Sequence, residues 1–217
     1  MTTPRLEFFF DCSSPWTYLA FHRMQDVIAE TTAAVSWRPM LVGGVFNAVN
    51  RGLYASRARM TEALGAADDD GAGRKARYYV KDLADWARLC GLRIGQPKVF
   101  PVNSVRAMRG CLVAAEHDRL VPFARAVFAT YWGDLEDISQ TEVLARVAAR
   151  CGLDAAELLA KVEQPAYKDR LRANTDELIA RGGFGSPTMF VGGDDMYFGN
   201  DRLPLVRAAL ERARVAA

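Results

Sequence analysis

The chain has 217 residues, half of them hydrophobic and a quarter charged, a composition typical of a soluble globular protein with a sizeable core. Its 28 basic and 26 acidic residues give a formal net charge of +2, without the basic run or basic-aromatic stripe of a nucleic-acid-binding protein. No apolar run approaches the roughly 18 residues of a membrane span. The N-terminus also lacks the basic start and apolar stretch of a secretion signal. These features predict a cytoplasmic protein with neither a membrane nor a nucleic-acid partner.

The cysteines indicate neither a disulfide framework nor a metal site. There are four, and they lie far apart without a Cys-x-x-Cys pair: Cys12, Cys90, Cys111 and Cys151. With only two histidines beside them they form no zinc pattern, so buried reduced thiols and no metal are expected. Cys12 stays open, because it lies two residues before Ser14 and either lines a site or packs at a strand end.

The N-terminal third begins with a β-α-β pattern. The apolar and aromatic run from Arg5 to Phe10 predicts a buried strand, and Ala34 to Met40 predicts a second one. Between them, apolar residues at helical spacing predict a helix from Pro15 to Ala29. A unit of this length favours parallel strands joined by a right-handed crossover.

The central part of the chain is predicted to be helical. A loop and helix region runs from Gly43 to Gly65, and an acidic, glycine-rich connector covers Asp68 to Gly73. Apolar periodicity and capping residues then predict a series of helices. They cover Lys75 to Cys90, Ser104 to His117, Leu120 to Tyr131, Thr141 to Cys151, Ala155 to Glu163 and Pro165 to Arg181.

Strand patterns return near the C-terminus. Thr188 to Val191 and Met196 to Phe198 predict a hairpin whose turn covers residues 192–195, and Leu203 to Arg214 predicts a final helix. The element order is therefore β-α-β, a helical block, then β-β-α. Without the block, this order resembles a thioredoxin-like α/β domain. We expect a discontinuous thioredoxin-like domain of residues 1–42 and 182–217 with a large all-helical insertion of residues 43–181.

Ser14 and Pro15 stand where the first strand gives way to the first helix. Proline suits the first helical position, and a serine before it is a typical N-cap. The hydroxyl would lie beside free backbone N–H groups at the positive end of the helix dipole. Such a hydroxyl is either a cap alone or a group that holds an anion, including the thiolate of a ligand.

A second Ser-Pro pair, Ser186-Pro187, follows a glycine-rich turn and directly precedes a predicted strand. Proline at this place is either an edge or turn residue or the cis-proline that faces the helix start in thioredoxin-like domains. In the second case the backbone of Ser186 is free to pair with an extended peptide ligand.

Together these motifs resemble the family of kappa-class glutathione transferases and 2-hydroxychromene-2-carboxylate isomerases, in the disulfide-oxidoreductase branch of thioredoxin-like proteins. The resemblance spans nearly the whole chain. Its main residues are Phe10-Asp11-x-x-Ser14-Pro15-x-Thr17-Tyr18, Phe184-Gly185-Ser186-Pro187-Thr188-Met189-Phe190 and Phe198-Gly199-Asn200-Asp201-Arg202-Leu203. Weaker matches are Pro101-Val102-Asn103-Ser104 and Tyr131-Trp132-Gly133 with Glu136-Asp137. Ser14 and Thr17 stand where the oxidoreductases carry the two cysteines, so dithiol exchange is excluded there.

The resemblance implies a glutathione site. Ser14 would be the catalytic residue, whose hydroxyl donates to the sulfur and lowers the pKa of the thiol. Ser186 and Pro187 would hold the cysteinyl part and Asn50 the glycyl end. The remaining implied residues are Gly199, Asn200 and Asp201 for the γ-glutamyl end, and Asn103, Ser104 and Arg106 for the carboxylate of an α-keto acid substrate.

The implied reaction is the glutathione-dependent isomerisation of 2-hydroxychromene-2-carboxylate to trans-o-hydroxybenzylidenepyruvate, a step of aromatic hydrocarbon catabolism. Two alternatives stay open at this point. One is a kappa-like glutathione transferase that conjugates electrophiles, and the other is a non-catalytic thioredoxin-like binding protein. The family resemblance also implies a homodimer.

Overall fold

A computed structural model describes residues 3–52 and 71–215 of the chain. Its sheet has the strand order β2-β1-β3-β4. β1 runs parallel to β2, as the β-α-β pattern predicts, and antiparallel to β3, which pairs with β4 in a hairpin. The strands are β1 (Arg5–Phe10), β2 (Ala34–Pro39), β3 (Thr188–Val191) and β4 (Asp195–Phe198).

The helices follow the predicted order, with α1 between β1 and β2 and the last helix after β4. They are α1 (Pro15–Thr31), α2 (Val42–Val49), α3 (Gly71–Leu89), α4 (Val105–Ala115), α5 (Leu120–Phe128), α6 (Thr141–Arg150), α7 (Ala155–Lys161), α8 (Pro165–Ala180) and α9 (Leu203–Val215). A π-helical turn, Ala129–Gly133, extends α5, and a 3-10 turn, Asn200–Arg202, precedes α9.

Several predicted boundaries were wrong. The helix expected from Lys75 begins at Gly71, so the end of the expected connector is helical. The helix expected to reach Tyr131 is α-helical only to Phe128 and continues as the π-helical turn. Of the region predicted from Gly43 to Gly65, only the part up to residue 52 lies among the described residues.

One aromatic cluster joins the sheet to the helical block. The ring of Phe21 on α1 lies 5.3 Å from that of Phe10 on β1 and 5.4 Å from that of Phe128 on α5, measured between centroids. All three side chains are fully buried. Since burial of each such ring contributes roughly 2 to 3 kcal/mol, this contact holds the N-terminus of α1 firmly against the end of β1. The division into a thioredoxin-like domain and an insertion stays a prediction.

Within residues 3–52 and 71–215, no helix is long and apolar enough to cross a membrane.

Candidate functional site

Ser14 caps α1 at the edge of the sheet where β1 ends. Its backbone is extended, and its hydroxyl oxygen accepts a 3.3 Å hydrogen bond from the N–H of Thr17. Pro15 occupies the first turn of the helix, as predicted, and no acidic residue lies in that turn. The positive end of the α1 dipole is therefore not neutralised by its own first turn, and it favours an anion beside Ser14.

The loop before β3 faces this helix start. The Ser186–Pro187 peptide is cis, which is the arrangement expected if the proline faces the α1 N-terminus. The Ser14 hydroxyl donates a long 3.5 Å hydrogen bond to the carbonyl of Ser186. A contact of this length is weak, so the Ser14 proton is readily available to a stronger acceptor.

Hydrogen bonds to its hydroxyl hold the Ser186 side chain in place. Its hydroxyl oxygen lies 2.8 Å from that of Thr17 and accepts a 3.0 Å hydrogen bond from the N–H of Asp11. The next residue, Pro187, accepts a 3.1 Å bond at its carbonyl from the N–H of Gly199. The helix start, the cis-proline loop and the end of β4 thus form one hydrogen-bonded unit.

Asn200 presents an unpaired amide at the start of the last helical segment. The residue is 2% exposed, and its Nδ2 atom has no hydrogen-bond partner among the described residues. Its Oδ1 atom and backbone carbonyl both accept from the guanidinium of Arg23, at 3.0 and 3.1 Å. An unsatisfied buried N–H group costs about 1 to 3 kcal/mol, so Nδ2 is a buried donor left without a partner in the described part of the chain.

The residues of the predicted glutathione site line one cavity of about 510 Å³. They are Ser14, Asn50, Ser186, Pro187, Gly199, Asn200 and Asp201. These residues come from α1, the end of α2, the cis-proline loop and the segment after β4. The cavity brings them together, while their contacts with a ligand stay a prediction.

Seven further lining residues were not assigned to the site by sequence reasoning, namely Trp16, Phe46, Asp82, Trp86, Phe184, Gly185 and Phe198. Phe184 and Phe198 belong to the motifs that carry the resemblance, and their rings pack at 4.4 Å. Asp82 and Trp86 lie four residues apart on α3, a spacing that places them on one helix face. Only the packing of α3 beside α1 brings that face to the cavity.

A smaller cavity of about 210 Å³ lies beside the first, and Phe46 borders both. Asn103 and Ser104, two of the three predicted substrate-binding residues, line it. Arg106, the third, lines neither cavity. Its guanidinium instead binds the Glu163 carboxylate at 2.7 Å.

Asp11 lines the smaller cavity. Its buried carboxylate accepts hydrogen bonds from the N–H groups of Ser13 and Val42 and from the hydroxyl of Ser104, at 2.9, 2.9 and 3.1 Å. Burial raises the pKa of this carboxyl, and the three donors only partly oppose that rise. Asp11 therefore ties together the end of β1, the start of α2 and the start of α4.

The cysteines take no part in either cavity. Cys12 is 1% exposed, and burial, assisted by the neighbouring Asp11 carboxylate, raises the pKa of its thiol well above its usual value. Burial also raises the pKa of Cys111 strongly. The question left open for Cys12 is therefore resolved in favour of packing. Among the described residues, no cluster of histidine, cysteine and carboxylate side chains is arranged to hold a metal ion.

Comparisons with known proteins bear on the family and the fold of the chain. A family model described as a DSBA-like thioredoxin domain matches residues 5–211. The chain is 27% identical over 216 residues to a 2-hydroxychromene-2-carboxylate isomerase of Sphingobium xenophagum, covering 96% of this chain and 98% of the relative. It is also 27% identical over 217 residues to human glutathione S-transferase kappa 1, covering 93% and 88% of the two chains. A solved 2-hydroxychromene-2-carboxylate isomerase superposes with a TM-score of 0.74 at 26% identity, covering 96% and 95% of the chains. The predicted thioredoxin-like fold is thereby confirmed.

Proposed function

The chain belongs to the DSBA-like thioredoxin domain family, and we propose that within this family it is a glutathione-dependent isomerase acting on 2-hydroxychromene-2-carboxylate. The observation that carries the proposal is the meeting of three groups in one cavity. They are the Ser14 hydroxyl at a helix start, the backbone of Ser186 before a cis-proline, and the unpaired amide of Asn200.

Ser14 would stabilise a thiolate rather than react itself. Its hydroxyl donates only in the long contact with the Ser186 carbonyl, and the positive end of α1, with no acidic residue in its first turn, lies beside it. A hydrogen bond and a helix dipole that both favour negative charge lower the pKa of a thiol bound there. Because serine replaces the nucleophilic cysteine of the oxidoreductases, the protein supplies no sulfur of its own.

The other lining groups fit the two arms of a γ-glutamyl tripeptide. The free amide of Asn200 suits a carboxylate, and Asp201 supplies a negative charge for the ammonium of the same arm. Ser186 would pair its backbone with the cysteinyl part, as in strand addition. Asn50, at the end of α2, would contact the glycyl end.

The chromene is a ring, so its C–O bond must first break, with the 2-hydroxyl becoming the ketone and its proton passing to the phenol oxygen. Glutathione would then supply a thiolate that adds reversibly to a conjugated carbon of the open chain, so that the former double bond can rotate as a single bond. The carbon–sulfur bond that forms is later broken, so the reaction has no net oxidation and consumes no oxidant. Ser14 would stabilise the negative charge on sulfur both before the thiolate adds and after it leaves.

The smaller cavity would receive the carboxylate end of the substrate. Asn103 lies at its edge with its amide nitrogen available, since its Oδ1 atom accepts from the N–H of Val105. The Ser104 hydroxyl already donates to the Asp11 carboxylate, so Ser104 would shape the cavity without donating to the substrate. Arg106, paired with Glu163, would reach this cavity only after breaking that ion pair.

The decisive experiment replaces Ser14. Ser14→Ala removes both the hydroxyl and the cap, so a matched variant that loses a cap elsewhere is needed. Asp154→Ala serves, because Asp154 caps α7 by accepting from the N–H of Glu157 at 3.0 Å. Each variant should lose about 1 kcal/mol of stability.

Only Ser14→Ala should reduce kcat, by about 100-fold, since it removes a group that stabilises reacting charge. The thiolate absorbance of bound glutathione in the ultraviolet should fall in parallel. Unchanged turnover by Ser14→Ala at saturating glutathione would contradict the proposed role.

A kappa-like transferase is the second candidate, favoured by the similarity to human glutathione S-transferase kappa 1 over nearly the whole chain. The same activated thiolate would then attack an electrophile and stay attached to it. Parallel assays with the chromene carboxylate and a chlorinated aromatic separate the two, because the isomerase returns free glutathione and the transferase consumes it. If calorimetry detected no glutathione binding, the non-catalytic binding protein would be the better description.

We also propose that the protein is cytoplasmic and forms a homodimer. Light scattering on the purified protein tests the dimer, and fractionation of the source cells tests the location.

A further inference from the structure

We infer that Arg23 is a positioning residue that sets the orientation of the Asn200 amide and thereby the affinity for the γ-glutamyl arm of glutathione. The inference rests on the proposed function. Arg23 lies on α1, more than two turns beyond Ser14, and it is absent from the cavity lining. It would act through Asn200.

The hydrogen bonds of Arg23 select one of two amide orientations. One guanidinium nitrogen, Nη1, donates both to the backbone carbonyl of Asn200 at 3.1 Å and to its Oδ1 atom at 3.0 Å. Guanidinium groups only donate, so a flipped amide would place its NH2 group against another donor. Arg23 therefore forces Nδ2 to the opposite side, where it has no partner among the described residues.

Trp86 holds the guanidinium in place. The Arg23 Cζ atom lies 4.6 Å from the centroid of the Trp86 ring, within the range of a cation–π contact. Trp86 itself lines the cavity from α3. Arg23 consequently lies between the start of the last helical segment and α3, and it fixes the position of both walls at once.

The charge of Arg23 has a second effect. The charged side chains among the described lining residues are Asp82 and Asp201, both acidic, and of these Asp201 is paired with the exposed guanidinium of Arg202. A carboxylate entering this cavity meets an unfavourable field unless a cation lies nearby. Arg23 supplies that cation behind Asn200, and its charge-assisted bond to Oδ1 polarises the amide so that Nδ2 becomes a stronger donor.

The experiment compares Arg23→Gln and Arg23→Lys with a matched control, Arg207→Gln. Arg207 on α9 also reaches across to α1, where it binds Glu30 at 2.8 Å, but it lies outside the cavity lining. Calorimetry on the purified full-length variants would measure binding of glutathione and of cysteinylglycine, which lacks the γ-glutamyl arm.

Arg23→Gln should weaken glutathione binding by about tenfold, the value of one charge-assisted hydrogen bond, and change cysteinylglycine binding by less than about twofold. Arg23→Lys keeps the charge but loses the planar stack on Trp86, so its loss should be intermediate. Arg207→Gln should bind both ligands as the wild type does. Asn200→Ala combined with Arg23→Gln should cost little more than Asn200→Ala alone, because both act through one amide.

Two results would overturn the inference while leaving the proposed function intact. One is wild-type glutathione affinity in folded Arg23→Gln, and the other is an equal loss for both ligands, which indicates a general structural role. Failure of the wild type to bind glutathione would contradict the proposed function itself. If Arg23→Gln does not fold, the comparison of Arg23→Lys with Arg207→Gln carries the same readout.

Discussion

The hydroxyl oxygens of Thr17 and Ser186 lie 2.8 Å apart, although 169 residues separate them in the chain. This bond joins the first turn of α1 to the cis-proline loop, directly beneath the Ser14 hydroxyl. Thr17 stands where the related oxidoreductases carry their second cysteine. In this protein Thr17 instead holds Ser186, whose backbone would pair with a ligand.

Thr17→Val tests this bond, since it keeps the shape of the side chain and removes its hydroxyl. Loss of one buried hydrogen bond should lower the free energy of unfolding by about 1 kcal/mol. Ser186 should become less fixed, and the affinity for glutathione should fall a few-fold. Urea unfolding and calorimetry measure the two effects, and Thr17→Ser should restore both.

A threonine elsewhere on the same helix provides the control. Thr31 is buried, and its hydroxyl donates to the carbonyl of Val27 at 2.6 Å. Thr31→Val should cost a comparable amount of stability without changing glutathione affinity. If both variants lost affinity equally, α1 as a whole and not the Thr17–Ser186 bond would be responsible.

The four thiols should differ in reactivity. Burial raises the pKa of Cys12 and of Cys111, and both side chains are inaccessible, whereas Cys90 and Cys151 are half-buried. Alkylation of the native protein at pH 8 should therefore modify Cys90 and Cys151 first, and Cys12 and Cys111 only after unfolding. Mass spectrometry of peptides from native and denatured samples checks this order. Rapid native alkylation of Cys12 would show that its sulfur reaches the site.

Asp11 should give the protein a measurable pH dependence. Burial raises the pKa of this carboxyl from its ordinary value of 3.8, so the folded state binds the proton more tightly than the unfolded chain does. The stability that this group contributes is fully present below that ordinary value and is lost as the pH rises through the higher folded pKa.

Asp11→Asn isolates that contribution. The amide of the variant has no titratable proton in this pH range. Its NH2 group faces one of the three hydrogen-bond donors that the carboxylate accepts from, so the variant should be less stable by about 2 kcal/mol. The stability difference between wild type and variant should be largest at acid pH and shrink as the pH rises. Urea unfolding of both proteins from acid to neutral pH tests this direction, and a stability difference that grows with pH would contradict it.

Local sequence patterns were enough to predict the strands of the sheet and the two Ser-Pro pairs that meet in the cavity. Ser14-Pro15 and Ser186-Pro187 are local patterns, since a cap before proline and a proline before a strand each depend on a few adjacent residues. The hydrophobic run of β1 and the hairpin before α9 are equally local. Apart from Asn50 at the end of α2, these elements carry the lining residues that could be named beforehand.

The other wall of the site depends on packing that no local pattern encodes. Asp82 and Trp86 lie on a helix whose sequence only shows that they share a face, and the partner of that face is a tertiary property. No pattern in the sequence sets Arg23 apart from the other arginines of the predicted helices. Arg106 is the converse case, because the resemblance implies a substrate contact while its guanidinium is paired with Glu163.

Gly185 controls the aromatic part of the cavity wall. A Cβ atom at this position would lie 2.8 Å from the Phe198 ring, which packs against Phe184. Phe198 is 37% exposed, so its ring can move outward and the fold should tolerate Gly185→Ala within about 1 kcal/mol. The displaced ring would change the cavity, and kcat/KM should fall by up to about 100-fold, because small misplacements at a site are costly.

Gly71→Ala is the matched control, since a Cβ atom there meets nothing within 4 Å and the position lies at the start of α3, where alanine favours the helix. Its kinetics should equal those of the wild type. Steady-state assays with the chromene carboxylate, together with thermal unfolding of both variants, separate the two outcomes. Wild-type kcat/KM in Gly185→Ala would show that the Phe198 ring does not contact the reacting molecules, and the aromatic pair would then belong to the fold alone.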